Sequence, residues 1–379
     1  MDIYMKNLNE WVDKAWQDLT DKINYTSHYI GVGTPNFTED GKYIYSPKSF
    51  WTKGFWPGIL WLTYVGNGKQ QDELKELAVE CENALDDVLN GFYMLHHDNG
   101  FVWSLSSVAQ YKLNNNPASR RRALTAASHL AGRFNLKGNF IRAWNAAQGA
   151  KVEGWAIIDC LMNLPLLYWA SEETEDPRFR HIAMAHADTV LQYFIREDGS
   201  SYHITCFDPE SGEHVGYQAG QGFSVDSAWA RGASWALYGL TLSYRYTKEE
   251  RYLEAAKRVA DFWMKSTGSD YVSRWDFRAP EEMDDKDTSA AACAACGLIE
   301  LSHWLPLDEG TKYYVWGAET VKALYERYGT WGQNDQEGLL VGGTFNYPKQ
   351  FGLNCSLIYG DYFYTEALYR LKGNSIIFW

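Results

Sequence analysis

A layout that recurs at intervals of roughly 50–70 residues constrains this chain more than any other feature. A loop rich in Gly, Asp and aromatic residues leads into an Ala/Leu-rich segment of helical period. That segment ends near Tyr or Trp, and a short polar turn then opens a more charged amphipathic segment. The clearest copy starts at Trp229, runs to Tyr246, turns through Thr247–Glu250 and continues from Arg251 to Trp263. Its first half is apolar nearly all round and should be buried. Its second half has a charged stripe and should face water. Similar inner starts occur at Trp51–Trp56, Asp98–Val108, Trp155–Leu167, Asp287–Leu298 and Gly360–Tyr369, six with the Trp229 copy. Outer partners are expected over 71–90, 119–133, 177–196 and 311–328. Residues 6–19 also read as an amphipathic helix, with Leu8, Trp11, Val12, Ala15 and Leu19 on one face. Strand signals are few, and Ser200–Phe207 is the best candidate for a short hairpin.

Six inner and six outer helices predict an all-α protein, an (α/α)6 barrel or six-hairpin toroid, filling residues 1–379 as a single catalytic domain. The loops before the inner helices would then gather at one mouth, where a rigid scaffold presents its function. A plain helical solenoid is the competing reading. The copies share a pattern but little sequence, and their loops are long and aromatic, which favours the barrel.

Composition narrows what the mouth can hold. The chain has 17 Trp, 26 Tyr and 17 Phe, 16% of its residues. Most must pack the core, yet flat aromatic faces are also what carbohydrate clefts use against the C–H face of a pyranose. A net charge of −13 argues against nucleic acid, which needs a basic stripe, and requires local cations for any anionic ligand. No apolar run is long enough to span a membrane. The start at Met1 lacks the basic and apolar regions of a signal peptide, so a cytoplasmic protein is expected, monomeric or weakly homodimeric. The six cysteines should then be free. Cys293 and Cys296 form a C-x-x-C inside an apolar helical run with no second pair, so neither a metal nor another cofactor is expected. Two adjacent histidines at 96 and 97 likewise lack a partner pair of metal-ligand spacing.

Three segments could carry chemistry. In the first, from His96 through Asp98 to Trp103, the acid precedes an apolar helix, and an N-cap is the ordinary reading. In the second, Asp159 lies among Ile157, Ile158, Leu161 and Met162, a pattern that places it inside an apolar helix. An acid is rarely left there unless paired or used, and burial would raise its pKa into the range of a general acid. The third, 219–235, holds Gln221, Asp226, Trp229, Arg231 and Trp235. An Arg one turn into an Ala/Trp-rich helix suits a fork-like grip on a carboxylate, or an ion pair with Asp226. His203 stands upstream in the hairpin candidate, and Trp144 in the run from Arg142 to Asn145.

Together, the segments at Trp51–Trp56, His97–Phe101, Ile158–Asn163, Gln221–Trp235 and Gly360–Leu368 resemble the unsaturated glucuronyl hydrolases of glycoside hydrolase family 88, in order and spacing and over nearly the whole chain. That resemblance implies the (α/α)6 barrel, no metal, and substrates that are unsaturated uronyl di- or oligosaccharides left by polysaccharide lyases. It implies that Asp159 protonates C4 of the vinyl ether and assists water addition at C5, after which the hemiketal opens and the glycosidic link is lost. Asp98 would hold sugar hydroxyls and tune Asp159. Trp51, Trp144, Trp229 and Trp235 would stack on sugar, and His97, His203, Gln221 and Arg231 would contact it, Arg231 at its anionic end. The rule relating carboxylate separation to stereochemistry does not apply, since C1 is not displaced. The region Thr344–Gln350 keeps Lys349 but lacks the serines that some streptococcal-type members use for sulfate, leaving sulfate preference open. Rival readings are an unsaturated rhamnogalacturonyl hydrolase acting on pectin fragments, a sugar 2-epimerase using His97 and His203, and a binding scaffold without turnover.

Overall fold

The computed structural model describes residues 2–47, 50–91, 94–145 and 151–379, with side chains from residue 10 onward. Fourteen helices and seven short strands are present among them. Six segments form an inner ring. They are α2 (Phe55–Gly66), the broken helix α5–α6 (Asn99–Trp103 and Ala109–Asn114, joined by a π turn over Ser104–Val108), α8 (Leu164–Thr174), α10 (Ala230–Thr247), α12 (Thr288–Ser302) and α14 (Ile358–Leu371). The outer ring is α1 (Asp2–Ile30), α3 (Asp72–Asn83, followed by the single turn α4, Asp86–Leu89), α7 (Pro117–Ala131), α9 (Pro177–Tyr193), α11 (Glu250–Thr267) and α13 (Leu307–Tyr328).

Each inner segment packs on the next, and α14 packs back on α2, so the ring closes. The fold is the all-α (α/α)6 barrel. Hydrophobic patterning explains the sorting into layers. Helix α10 is buried continuously from Ala230 to Ser243, whereas α11 buries only one stripe, including Tyr252, Ala256, Val259 and Trp263. In α1, Val12, Ala15 and Leu19 are buried; the expected partner Leu8 lies outside the described side chains, and Met1 outside the described residues. Among the described residues no helix is long and apolar enough to cross a membrane.

The lumen is filled by aromatic rings. Trp235 of α10 packs on Phe101 and Phe363 (ring centroids 5.2 and 5.4 Å), and Trp379 stacks on Phe363 (10° between planes) while meeting Phe101 and Tyr238 edge-on. These rings form the floor on which the loops at the inner helices' N-termini rest.

Strands dress the mouth. Strands β1 (Pro35–Glu39) and β2 (Lys42–Tyr45) pair antiparallel, as do β3 (Phe134–Asn135) and β4 (Phe140–Ile141). Strands β5 (Trp155–Ile157), β6 (Ile204–Phe207) and β7 (His214–Gln218) form a three-stranded antiparallel sheet. The expected hairpin therefore exists, but its first strand begins at Ile204.

A second correction concerns Asp159. The segment read as one helix, Trp155–Leu167, is strand β5, then a 3-10 turn over Ile158–Met162, then α8. Ladder pairing of Ile157 with Ile204 draws the first three residues into the sheet. Pro165, in the first turn of α8, fixes where the regular helix begins.

Packing at the start of α5 is tight. A Cβ on Gly100 would lie 2.3 Å from Asn163 Cα, so Gly100→Ala must push α5 away from the 3-10 turn. Overpacking of this kind costs about 1–3 kcal/mol, which a denaturant titration of the variant should read as a lower midpoint with unchanged slope.

Candidate active site

Asp98 occupies the N-cap position of α5 but makes no capping hydrogen bond with its side chain. Its carboxylate turns into the mouth instead. Oδ2 lies 3.1 Å from His96 Nδ1, Oδ1 lies 3.3 Å from His97 Nε2, and Oδ1 accepts a 3.3 Å hydrogen bond from Asn163 Nδ2. Burial alone would raise its pKa. The neighbouring His97 and His96 and the Asn163 amide outweigh that, and the carboxyl is held below its ordinary range. His97 has no exposed surface, and burial pushes its pKa down to about 4, so its ring is neutral near pH 7.

Asn163 joins the two acids. Its Oδ1 accepts from Phe101 N (2.8 Å), fixing the first turn of α5, and its Nδ2 reaches both Asp98 Oδ1 and the Asp159 carbonyl (3.3 Å each). The sequence motif Ile158–Asn163 contains this residue but assigns it no role. Its signal was a polar amide closing an apolar run.

Asp159 is displayed by the 3-10 turn, which the sheet anchors through Ile158 N to His203 O (3.0 Å). Its Oδ2 has no hydrogen-bond partner. Burial, and then the charge of Asp98, drive its pKa up to about 7, with Arg231 pulling the other way. The two carboxyls are thus pushed apart. Asp98 stays ionised while Asp159 holds its proton up to about pH 7, an arrangement suited to one general acid beside one fixed charge. A raised pKa alone would not single out Asp159: Asp361 is also pushed to about 7 by burial, but it accepts from Tyr43 Oη and from the Leu339 and Leu340 amides. Asp361 is internally satisfied; Asp159 is not.

His203 stands over Asp159, with Nε2 3.6 Å from Oδ2. The Gln221 backbone amide donates to His203 Nδ1 (2.9 Å), so the neutral ring must carry its hydrogen on Nε2, facing the acid. Burial pushes this imidazole down to about 3, which keeps it neutral. Gly220 permits the approach. Its φ is +59°, and a Cβ there would sit 2.1 Å from His203 Nδ1. The loop is held from below by the buried Asp276 carboxylate, which accepts from the amides of Phe223 and Ala228 and from Ser227 Oγ. Nothing in the local sequence around Asp276 marks that role.

Aromatic rings wall the mouth. Trp51, in a 3-10 turn over Trp51–Gly54, packs on Tyr359 and Phe101 (4.8 and 5.5 Å). Trp144 meets His97 edge-on at 6.5 Å and is partly exposed, and Trp229 lies over the His203 ring at 4.3 Å. Trp235 departs from expectation. It has no exposed surface, because its place on α10 turns it into the lumen against Phe101 and Phe363; it belongs to the floor and not to a stacking face.

Arg231 has a different ion-pair partner from the one expected. Nη1 donates to Asp287 Oδ2 (2.6 Å) and Thr344 O (2.7 Å), and Nη2 donates to Gln221 Oε1 (2.8 Å) and Phe345 O (2.7 Å). All four hydrogens of the terminal nitrogens are engaged, and Asp287, not the exposed Asp226, is the ion-pair partner. Arg231 braces the mouth by tying the loop at 344–345 to α10 and α12. Its terminal nitrogens are thus already engaged within the protein. From Trp51 through Phe101, Asn163, Asp159, His203, Trp229, Arg231 and Tyr359 back to Trp51, each neighbour is in contact, and the circuit links all the inner segments except α12, which joins through Asp287.

The family model for Glycosyl Hydrolase Family 88 matches residues 33–267. An unsaturated glucuronyl hydrolase of Bacillus sp. (strain GL1) is 38% identical over 342 residues, 89% of this chain and 90% of that protein. An unsaturated chondroitin disaccharide hydrolase of Streptococcus pyogenes serotype M1 is 37% identical, covering 90% of this chain and 86% of that one. Among solved structures, the Bacillus sp. GL1 unsaturated glucuronyl hydrolase superposes with a TM-score of 0.91 at 36% identity, over 95% of this chain and 97% of that chain. A variant of the Streptococcus agalactiae enzyme complexed with dGlcA-GalNAc6S superposes with a TM-score of 0.84 at 30% identity, over 98% and 94%. Matched in sequence over most of its length and in fold over nearly all of it, the chain belongs to glycosyl hydrolase family 88.

Proposed function

We propose that this hydrolase releases the 4,5-unsaturated uronic acid from the non-reducing end of lyase-generated glycosaminoglycan oligosaccharides, by hydrating the C4=C5 vinyl ether, and that residues 1–379 act as one barrel. The observation that carries the reading is the unequal pair of acids. Asp159 holds its proton up to about pH 7 and has an unpartnered oxygen, and Asp98 is ionised a short bridge away through Asn163. Unsaturated glucuronyl and chondroitin disaccharide hydrolases among its relatives point to the substrate class.

The chemistry follows from that asymmetry. Asp159 gives its proton to C4, and the positive charge that develops at C5 and the ring oxygen is met by the Asp98 carboxylate. Water adds at C5 and returns its proton to Asp159, leaving a hemiketal. That hemiketal opens to a C5 ketone and a C1 hemiacetal, which expels the remaining sugar. One water is consumed, and one glycosidic link is lost. Trp51, Trp144 and Trp229 would offer faces to the sugars; His97, His203 and Gln221 would orient hydroxyls, His203 through its Nε2–H.

Six buried, unpaired thiols support a reducing, cytoplasmic setting, where we infer a monomer or weak homodimer.

Loss of vinyl-ether absorbance on a panel of unsaturated disaccharides from chondroitin, hyaluronan, heparin and rhamnogalacturonan tests this reading. Turnover of at least one glycosaminoglycan member is expected. Because Asp159 must be protonated, the rate should fall as pH rises through about 7. Turnover of the rhamnogalacturonan product alone, or a rate that keeps rising past pH 8, would defeat it.

A further inference from the structure

We propose that Arg133 is a positioning residue for the hydration step, latching the loop of His97 and Asp98 to the loop of Trp144; the proposal rests on the function just given. Arg133 follows directly after α7 and its Gly132 cap. Its Nε donates to Arg142 O (2.8 Å), Nη1 to Leu95 O (3.2 Å) and Asn145 Oδ1 (2.8 Å), and Nη2 to Ala143 O (3.1 Å). Ala143 O in turn accepts from His97 N (3.2 Å), and Asn145 Nδ2 donates to Leu95 O (2.9 Å).

One planar fork therefore spans four acceptors on two loops, one ending in the acid pair's first member and the other in the mouth's partly exposed Trp144. A lysine ammonium is a point donor and cannot hold that spread.

The charge matters as well as the shape. None of the four acceptors is a carboxylate, and among the described residues Arg133 forms no ion pair. Burial, and then the nearby Arg142, lower its pKa to about 10, while Cys160 and then Asp98 pull it up. An uncompensated cation is thus held half-buried in the electrostatic field of Asp98. The groups facing Asp98 are His96 and His97 on its own loop, Asp159 and Cys160 on the 3-10 turn, and Arg133 behind the loop. Of these, Arg133 alone is a permanent cation. Its attraction to Asp98 acts in both directions, behind the larger effects of His97, His96 and Asn163 on that carboxyl.

The test uses the full chain as wild type, Arg133→Lys and Arg133→Met, with kcat, KM and pH profile read on an unsaturated uronyl disaccharide and thermal unfolding read beside them. In both variants kcat should fall about 10–100-fold, since misplacement on the ångström scale costs that much, with the smaller share of the loss in KM. The acid limb, which reports ionisation of Asp98, should move to higher pH in the Met variant and stay in place in the Lys variant. A kcat within about twofold of wild type in Arg133→Lys, or a loss in Arg133→Met with an unmoved limb, would overturn the proposal. If Arg133→Met does not fold, Arg133→Lys decides by kcat alone. Failure of wild type on every unsaturated uronide would instead sink the functional reading, which keeps the two failures apart.

Discussion

Asp159→Asn should lower turnover of the unsaturated disaccharide by ~10²–10⁴-fold while binding it about as well as wild type. The amide is isosteric but has no proton acidic enough to pass to C4. Nothing else within reach replaces it, because His203 is held neutral with Nδ1 already accepting from the Gln221 amide. Stopped-flow loss of absorbance gives the rate, and ligand-induced fluorescence change in the tryptophan-lined mouth gives the affinity. Near wild-type turnover would remove Asp159 from the mechanism.

The same variant has a thermodynamic signature. The folded pKa of Asp159, about 7, lies above its ordinary value of 3.8. The folded state therefore binds more protons between those values, and wild-type stability falls as pH rises through that window. Asn does not ionise. Asp159→Asn should match wild type below about pH 4 and exceed it above pH 7 by on the order of 2–4 kcal/mol, since each tenfold change in proton affinity is worth at most about 1.4 kcal/mol. Urea titrations at pH 4 and pH 8 would measure the difference. An inactive variant that is more stable only at the higher pH is the expected mark of an acid buried for use.

Asp98→Asn is expected to act second most strongly, through two effects with separable readouts. Loss of the fixed negative charge beside the developing cation should cut kcat by about 10²–10³-fold, the size seen when one preorganised electrostatic group is removed. It should also remove the second-largest force raising the Asp159 pKa. The fall in rate at high pH should then begin at lower pH than in wild type. A loss of rate with that limb in its original place would mean that Asp98 acts on substrate alone and does not tune Asp159.

The barrel was legible because its period is a packing requirement: an inner helix buried all round and an outer helix with one wet stripe must differ in composition. The mouth was legible only in part. The apolar surroundings of Asp159, among Ile157, Ile158, Leu161 and Met162, were legible, yet the residue was placed on the wrong element. A short apolar run reads alike as strand, 3-10 turn or helix, and the partner that decides, Ile204, is 47 residues away. Asp98 read as a cap because local sequence shows the helix start but not Asn163, which draws the side chain away. For Arg231 the sequence offered only the nearby Asp226 as an ion-pair partner, because the observed one, Asp287, opens another hairpin. Trp235 could not be sorted from Trp229 by residue type. Trp229 caps the start of α10 on extended backbone, whereas Trp235 lies inside that helix and is turned into the lumen.

The seam where α14 meets α2 bears on how this protein is made. Across it Phe55 meets Tyr362 and Phe363 (ring centroids 5.6 and 5.9 Å), and beside it Tyr43 donates to Asp361 and Lys372 pairs with Asp13, contacts that span more than 300 residues of chain. During synthesis at ~5–20 residues per second, the apolar inner face of α2 must wait for nearly the whole polypeptide before it is covered. A nascent chain halted before residue 358 should therefore bind holdase chaperones and resist native protease protection, and release of the last helix should complete both the wall and the cooperative transition together.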